Sequence, residues 1–403
     1  MIKQIYIACL LVLSAQVLQS QVGVNTTTPD PSAILDLEST TQGFLTPVMT
    51  NLEINAIVNP AEGLIAFSAD ENCLMNFNGT KWMNVCTGAG MVLPLGSMSS
   101  KLKANDVGNW DAFGFSVSMS SDGTKVAVGA YGEDSDAFGN GDLLSSSGTV
   151  YIFSKSGESW TQEAKLKADN AGSFDYFGFS ISMNSNGTIV AVGAYREDSN
   201  AAGIGDLYSN SGALYVFTYT NGSWTQEAKL KANDMEDGDY FGYAVAVNGD
   251  GNKVAVGSRY EDSDAAGNGN STSQSGAVYI FSKTGTSWAQ EGKLKANNAD
   301  SGDNFGCSVA MSSDGTKVAV GAYGEDSDAS GIGDDLSSSG AVYIFSKTGA
   351  SWLQEAKLKG ENTGADDEFG CSVSMSSDGT KMAVGAFLED SEATGNGDGL
   401  SSS

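Results

Sequence analysis

Histidine is absent from all 403 residues, and lysine and arginine together number 21 against 49 aspartates and glutamates. Without imidazole the chain cannot build a Ser-His-Asp or Cys-His site, and it lacks the side chain that most readily moves protons near neutral pH. The formal charge of −28 leaves no basic field to hold a phosphate backbone, which excludes nucleic acid as a partner. Proline is scarce, 5 residues against 51 glycines, and 40% of the chain is hydrophobic, so neither disorder nor a collagen helix fits. No apolar run reaches the roughly 20 residues that a membrane-crossing helix needs.

The apolar run that does exist, Ile5 to Leu18, follows Lys3 and ends before Ser20. A short positive start, an apolar stretch and small residues after it read as a secretory signal peptide over residues 1–20, with Cys9 removed in the leader. Residues 21–95 form a small β-rich segment. Within it, Cys73 and Cys86 bracket two short strands around Asn78-Gly79. The register puts Phe77 opposite Trp82, Met75 opposite Asn84 and Cys73 opposite Cys86, which predicts a disulfide of an oxidising compartment; two buried free thiols are the alternative.

From residue 96 to 403 one module dominates. Phe-Gly stands at 113–114, 177–178, 241–242, 305–306 and 369–370, a spacing of 64 each time, and Trp160, Trp224, Trp288 and Trp352 keep the same period. In FGFSVSMSSDGTKVAVGA, apolar and small or polar residues alternate around Asp122-Gly123, a two-residue hairpin signal. The pairing places Met119 with Val126, Val117 with Val128 and Phe115 with Ala130 on one buried face. GTVYIFSK and WTQEAKLKA add a third and a fourth strand. Such sheets, apolar on both faces, must stack on one another, which predicts an all-β propeller of four-stranded antiparallel blades. One tryptophan per blade, burying about 150–250 Å², contributes at most about 4–6 kcal/mol per interface. Lys-Leu-Lys at 165–167 and its counterparts are expected to point lysines outward from an exposed strand and so to discourage aggregation. Cys307 and Cys371 stand where other copies carry Phe115, Phe179 and Tyr243, and read as small core residues.

Phe-Gly opening the first strand and Val-Gly-Ala closing the second resemble FG-GAP repeats, the blades of integrin α-subunit propellers, and are most similar to the bacterial secreted branch. The resemblance covers residues 97–403, although Tyr131 and Phe387 stand where that pattern has Pro. It implies a surface or adhesive role. Residues 21–95, through VGVNTTTPDPSAILDLESTTQGFLTP, resemble a leader of secreted Gram-negative surface proteins, which implies a secreted or outer-surface location. Ser403 maps onto Ser147, so the last blade is expected to be incomplete and the chain to be a piece of a longer protein.

Loops between second and third strands and between successive modules emerge on one side, and that side is acidic. EDSDAFGNGD at Glu133 recurs at Glu197, Glu261, Glu325 and Glu389. Carboxylates among Gly, Ser and Asn suit Ca²⁺, which takes six to eight oxygens from flexible backbone. The candidate ligands are Asp134, Asp136 and Asp142, then Asp198 and Asp206, Asp262 and Asp264, Asp326, Asp328 and Asp334, and Asp390 and Asp398. The alternative is solvated loops serving solubility. The integrin metal site does not carry over, because a two-residue turn occupies its place. No cofactor is required. Acids that recur in every copy do not make a unique catalytic pair, so no enzymatic role is expected. The reading is a secreted or cell-surface propeller that offers its acidic loop face to a protein or glycan. A structural spacer is the alternative, and a propeller-type glycosidase or lyase a further one.

Overall fold

The computed structural model describes residues 22–24, 35–37, 45–87 and 101–389, apart from 107, 142, 158, 201–204, 206–207, 329, 331 and 334–335. The expected signal peptide and the end of the fifth module, 390–403, lie outside the described residues. No described helix is long and apolar enough to cross a membrane. The chain divides into two compact units, Met1–Ser99 and Ser100–Ser403.

In the first unit Val22–Val24 pairs in parallel with Leu35–Leu37. A second sheet joins Val48–Met49, Ile65–Ser68, Cys73–Phe77 and Trp82–Asn84, parallel at its first pairing and antiparallel after. A one-turn helix, Asn51–Asn55, starts at Thr50, whose side chain accepts from Glu53 N–H while Glu53 accepts from Thr50 N–H. Ile54, Ala66, Met75 and Trp82 form its core. Met75 faces Asn84 and Phe77 faces Trp82, their rings edge to face at 5.5 Å. Cys73 and Cys86 are joined by a disulfide.

The second unit repeats one antiparallel meander. Module 1 comprises Val117–Met119, Lys125–Ala130, Thr149–Ser156 and Ser159–Leu166, and module 2 comprises Ser180–Met183, Ile189–Ala194, Ala213–Thr220 and Ser223–Leu230. Module 3 runs Phe241–Val247, Lys253–Ser258, Ala277–Thr284 and Ser287–Leu294; module 4 runs Ser308–Met311, Lys317–Ala322, Ala341–Thr348 and Ser351–Leu358. Module 5 shows two strands, Phe369–Met375 and Met382–Ala386. These are propeller-like blades. Each has a face of small or aliphatic residues and a face of large ones, and unlike faces meet. Ala127, Val150, Ile152 and Leu166 of module 1 pack on Val190, Val192, Tyr215 and Phe217 of module 2, with Trp224 at the margin.

The glycine landmarks are explained by close backbone approach between blades. A Cβ on Gly193 would stand 2.0 Å from the Gly242 carbonyl oxygen, so the Val-Gly-Ala of one module and the Phe-Gly of the next can touch only if neither glycine carries a side chain. The hairpin turns are also chained: Ser121 N–H donates to Ser185 O, Ser185 N–H to Gly249 O, Gly249 N–H to Ser313 O and Ser313 N–H to Ser377 O. One line of backbone bonds thus links all five modules.

Two expectations are corrected. Val117 does face Val128, and Met119 does face Val126. Yet Phe115, Val117 and Met119 are more than half exposed, because no sheet of their own unit covers that face; the counterparts Cys307, Val309 and Met311 in module 4 are buried under module 3. The lysines of Lys-Leu-Lys do not guard an exposed edge either: Lys167, Lys231 and Lys295 are buried.

Candidate functional site

Those buried lysines lead to the loop face. Glu133, Glu197, Glu261 and Glu325, the first acids of the recurrent loops, are themselves buried. Each carboxylate takes two ammonium groups from the end of its own module's fourth strand. Glu261 accepts from Lys293 at 2.8 Å and Lys295 at 2.9 Å, and Glu197 accepts from Lys229 at 2.6 Å and Lys231 at 2.9 Å. Lys295 also donates to Ser275 Oγ at 2.7 Å and to Gly276 O at 2.6 Å. Burial works to raise the Glu133 carboxyl, but Thr149, Lys167, Lys165 and Ser135 outweigh it and hold the acid down at about 2. Burial lowers the Lys167, Lys231 and Lys295 ammonium groups. The network pins the second-to-third loop to the fourth strand in every complete module.

The candidate Ca²⁺ ligands serve mainly in loop closure. Asp134, Asp198, Asp262 and Asp326 accept from the backbone N–H twelve residues on, at Ser146, Asn210, Gln274 and Ser338, over 2.6–2.7 Å. Asp136 accepts from Phe138 N–H and Asn140 N–H, both at 2.9 Å, and Asp264 and Asp328 close the same local turn. Asp142, Asp206, Asp334, Asp390 and Asp398 lie outside the described residues. Among the described residues no three acids or cysteines are placed to hold a metal ion.

The inter-module loops add a second buried acid, which sequence reasoning placed on the acidic face but not inside it. Asp111, Asp175, Asp239 and Asp303 are buried. Asp175 accepts from Gly172 N–H at 2.7 Å and Asp239 from Glu236 N–H at 2.7 Å. Burial, reinforced by Glu197 and Asp198 and opposed by Lys229, pushes Asp175 up to about 7. Burial, with Glu261, Asp262 and Glu236, takes Asp239 to about 8, and burial with Glu325, Asp300 and Asp326 takes Asp303 to about 7.

Between modules the outer strands leave grooves on this side. One of about 470 Å³ is lined by Phe138, Lys165, Lys167, Phe217, Trp224 and Gln226, and the corresponding one between modules 3 and 4, of about 520 Å³, by Lys293, Lys295, Phe345, Trp352 and Gln354. Their polar groups are engaged in joining blades: Trp224 Nε1 donates to Glu163 of module 1 at 2.8 Å, and Gln226 accepts from Asp169 N–H at 3.0 Å.

Where first strands begin and second strands end, modules 1–3 share an aromatic strip that sequence reasoning did not single out. Phe115, Phe179 and Tyr243 stack with centroids 4.8 and 5.1 Å apart. Tyr131, Tyr176, Tyr195, Tyr240 and Tyr260 flank them at about 5 Å from one another. The chain's two arginines lie here. Arg196 sits 4.9 Å from the Tyr176 ring and Arg259 3.9 Å from Tyr243 and 4.4 Å from Tyr260, whose hydroxyls accept from Arg259 at 2.9 and 3.1 Å. The available signal was the departure of Tyr195-Arg196 and Arg259-Tyr260 from Tyr131-Gly132 and Tyr323-Gly324.

Two family models match the chain. FG-GAP repeats match residues 97–153, 160–217, 224–281, 288–345 and 352–399, and the Phage tail like trimerisation region matches residues 23–104. The second, third and fourth matched repeats each start on the fourth strand of one blade and end on the third strand of the next, so the sequence unit straddles a blade interface. No curated protein matches.

Proposed function

The chain belongs to the FG-GAP repeat family, and from that premise we propose that it is an exported, non-enzymatic binding scaffold that presents its loop face to a protein or glycan at the outer surface of a Gram-negative cell. The observation that carries this reading is the repeated Glu-Lys-Lys network. It spends buried charge in every complete module to hold loops that have no part in the sheets, at a desolvation cost that a spacer has no use for. Long loops on a rigid frame are where binding surfaces are built. The recurrent acids are engaged in closing loops, which argues against a general acid and base pair. The match of residues 23–104 to a trimerisation region supports three copies per assembly, and multivalency would then raise avidity without new contacts. Ca²⁺ is proposed to bind the acidic loops, on the strength of their sequence pattern of carboxylates among Gly, Ser and Asn.

The test is the full mature chain, its mass measured in solution and its binding to glycan arrays and to intact surface proteins measured with and without Ca²⁺. Retention by a defined set of partners supports the reading. A chain that binds nothing in either condition, and whose melting ignores Ca²⁺, is a spacer.

A further inference from the structure

The five modules are close to copies of one another, so a place where they diverge is where something other than folding acts. The strip at modules 1–3 is such a place. In the left-handed backbone at positions 112, 176, 240, 304 and 368, where bulky side chains are uncommon, the residues are Ala, Tyr, Tyr, Asn and Glu. Modules 2 and 3 thus accept strain to hold Tyr176 and Tyr240. Two residues earlier the pattern repeats: Gly238 and Gly302 occupy a left-handed position that modules 1 and 2 give to Trp110 and Phe174, both with φ of 69° and respectively 94% and 53% exposed. Trp110 stands on the rim of the strip, since its carbonyl oxygen is 2.2 Å from where a Cβ on Gly132 would lie, beside Tyr131.

The arginines supply the second observation. In a chain with 49 acids, neither pairs with a carboxylate among the described residues. The rings of Tyr176 and Tyr195 lie 4.9 and 5.7 Å from the Arg196 guanidinium, and the Nε–H groups of both Arg196 and Arg259 are buried without an acceptor. Two planar cations held over aromatic faces, each without a carboxylate partner, are open to an anionic counter-group from outside.

We propose that this strip is a recognition site for a carboxylated sugar, which deepens the reading of the loop face as a partner surface and rests on it. A guanidinium fork matches a carboxylate in bidentate fashion, tyrosine hydroxyls serve sugar oxygens, and exposed indole and phenyl planes suit the apolar face of a pyranose ring. The overall charge of −28 repels dense polyanions, so the site selects a short oligosaccharide with spaced carboxylates over a highly charged polymer. Raising the salt then leaves affinity unchanged or improves it, opposite to a basic patch.

The experiment titrates tetragalacturonate, its neutral methyl ester and a hexaglutamate peptide into the full chain by calorimetry. The parent is expected to bind the acid sugar at least 10-fold more tightly than the ester or the peptide. Arg196→Gln and Arg259→Gln should each weaken it 10-fold or more. Phe174→Gly, which relieves the left-handed strain, should melt no lower than the parent yet bind several-fold more weakly, so a binding loss cannot be blamed on unfolding. Equal binding of acid and ester, equal binding of the peptide, or folded arginine variants that bind like the parent each overturn the assignment. If the parent ignores all three probes but retains other glycans or proteins, the assignment falls and the broader reading stands; if it retains nothing, both fall.

Discussion

Replacing Glu261 by Ala removes the shared counter-charge of two lysines that respond unequally. Lys293 keeps Asp234 at 2.7 Å, whereas Lys295, with 4% of its side chain exposed, is left with only Ser275 Oγ and the Gly276 carbonyl. Breaking a buried pair by removing one partner costs about 3–5 kcal/mol, because the remaining ion cannot recover its hydration. The cost should shrink as pH rises toward the ordinary lysine range of about 10.4, since Lys295, whose affinity for its proton burial already lowers, can then fold uncharged. Urea denaturation of the full chain followed by tryptophan fluorescence reads the loss, and in a stacked array it should appear first around module 3. Glu261→Leu with Lys295→Met should recover most of it, as replacing both charges by apolar groups of similar volume is often neutral or better. A loss under about 1 kcal/mol, the range of exposed pairs, would refute the claim that this network holds the loop face.

Three further outcomes follow from the same coordinates. Asp175, Asp239 and Asp303 bind protons more tightly folded than unfolded, with folded values of about 7, 8 and 7, so their contribution is complete below the unfolded value near 4 and is lost as pH rises toward 8. Glu133 and Glu291, held down at about 2, act oppositely and lose their contribution as pH falls from about 4.5 toward 2. Equilibrium unfolding across pH should therefore show greatest stability near pH 4–5 and a flatter alkaline limb in Asp239→Asn; an alkaline limb that does not fall contradicts the burial of these acids. Gly276→Ala places a Cβ 2.0 Å from the Phe305 carbonyl at φ +78° and should cost more than about 3 kcal/mol, while Gly285→Ala at φ +63°, with open space around it, should cost about 1 kcal/mol; equal melting points for the two variants would remove close approach as the cause. Reducing Cys73–Cys86, which closes a loop of 13-residue separation, should destabilise the first unit by about 3 kcal/mol. Limited proteolysis should then cut near residues 73–86 and leave the repeats intact.

Much of the repeat architecture was legible because it depends on local signals. The Asp-Gly or Asn-Gly turn sets the hairpin register, which is why Val117–Val128 and Met119–Val126 pair as the alternation requires. The Phe-Gly spacing of 64 fixed the number of modules, and the family match agrees with it. Exposure was not legible: the same alternation that buries Val309 and Met311 leaves Val117 and Met119 in water, since burial depends on which sheet lies over a face. The arginine and tyrosine strip was overlooked for a related reason: the departures at Tyr195-Arg196 and Arg259-Tyr260 are visible in the repeat, but that they meet the aromatics of three modules depends on which blade lies beside which.

Composition and periodicity by themselves determined the absence of histidine chemistry, the all-β class and the stacking of like modules, because each follows from residue inventory and from alternation along one strand. Only the tertiary structure decided what the charges do. Glu261 and Lys295 are 34 residues apart in the chain, and each alone resembles a solvated surface group. Folding brings the loop over the fourth strand, withdraws both from water, and turns two ordinary ions into a buried pair whose strength comes from the low dielectric around it.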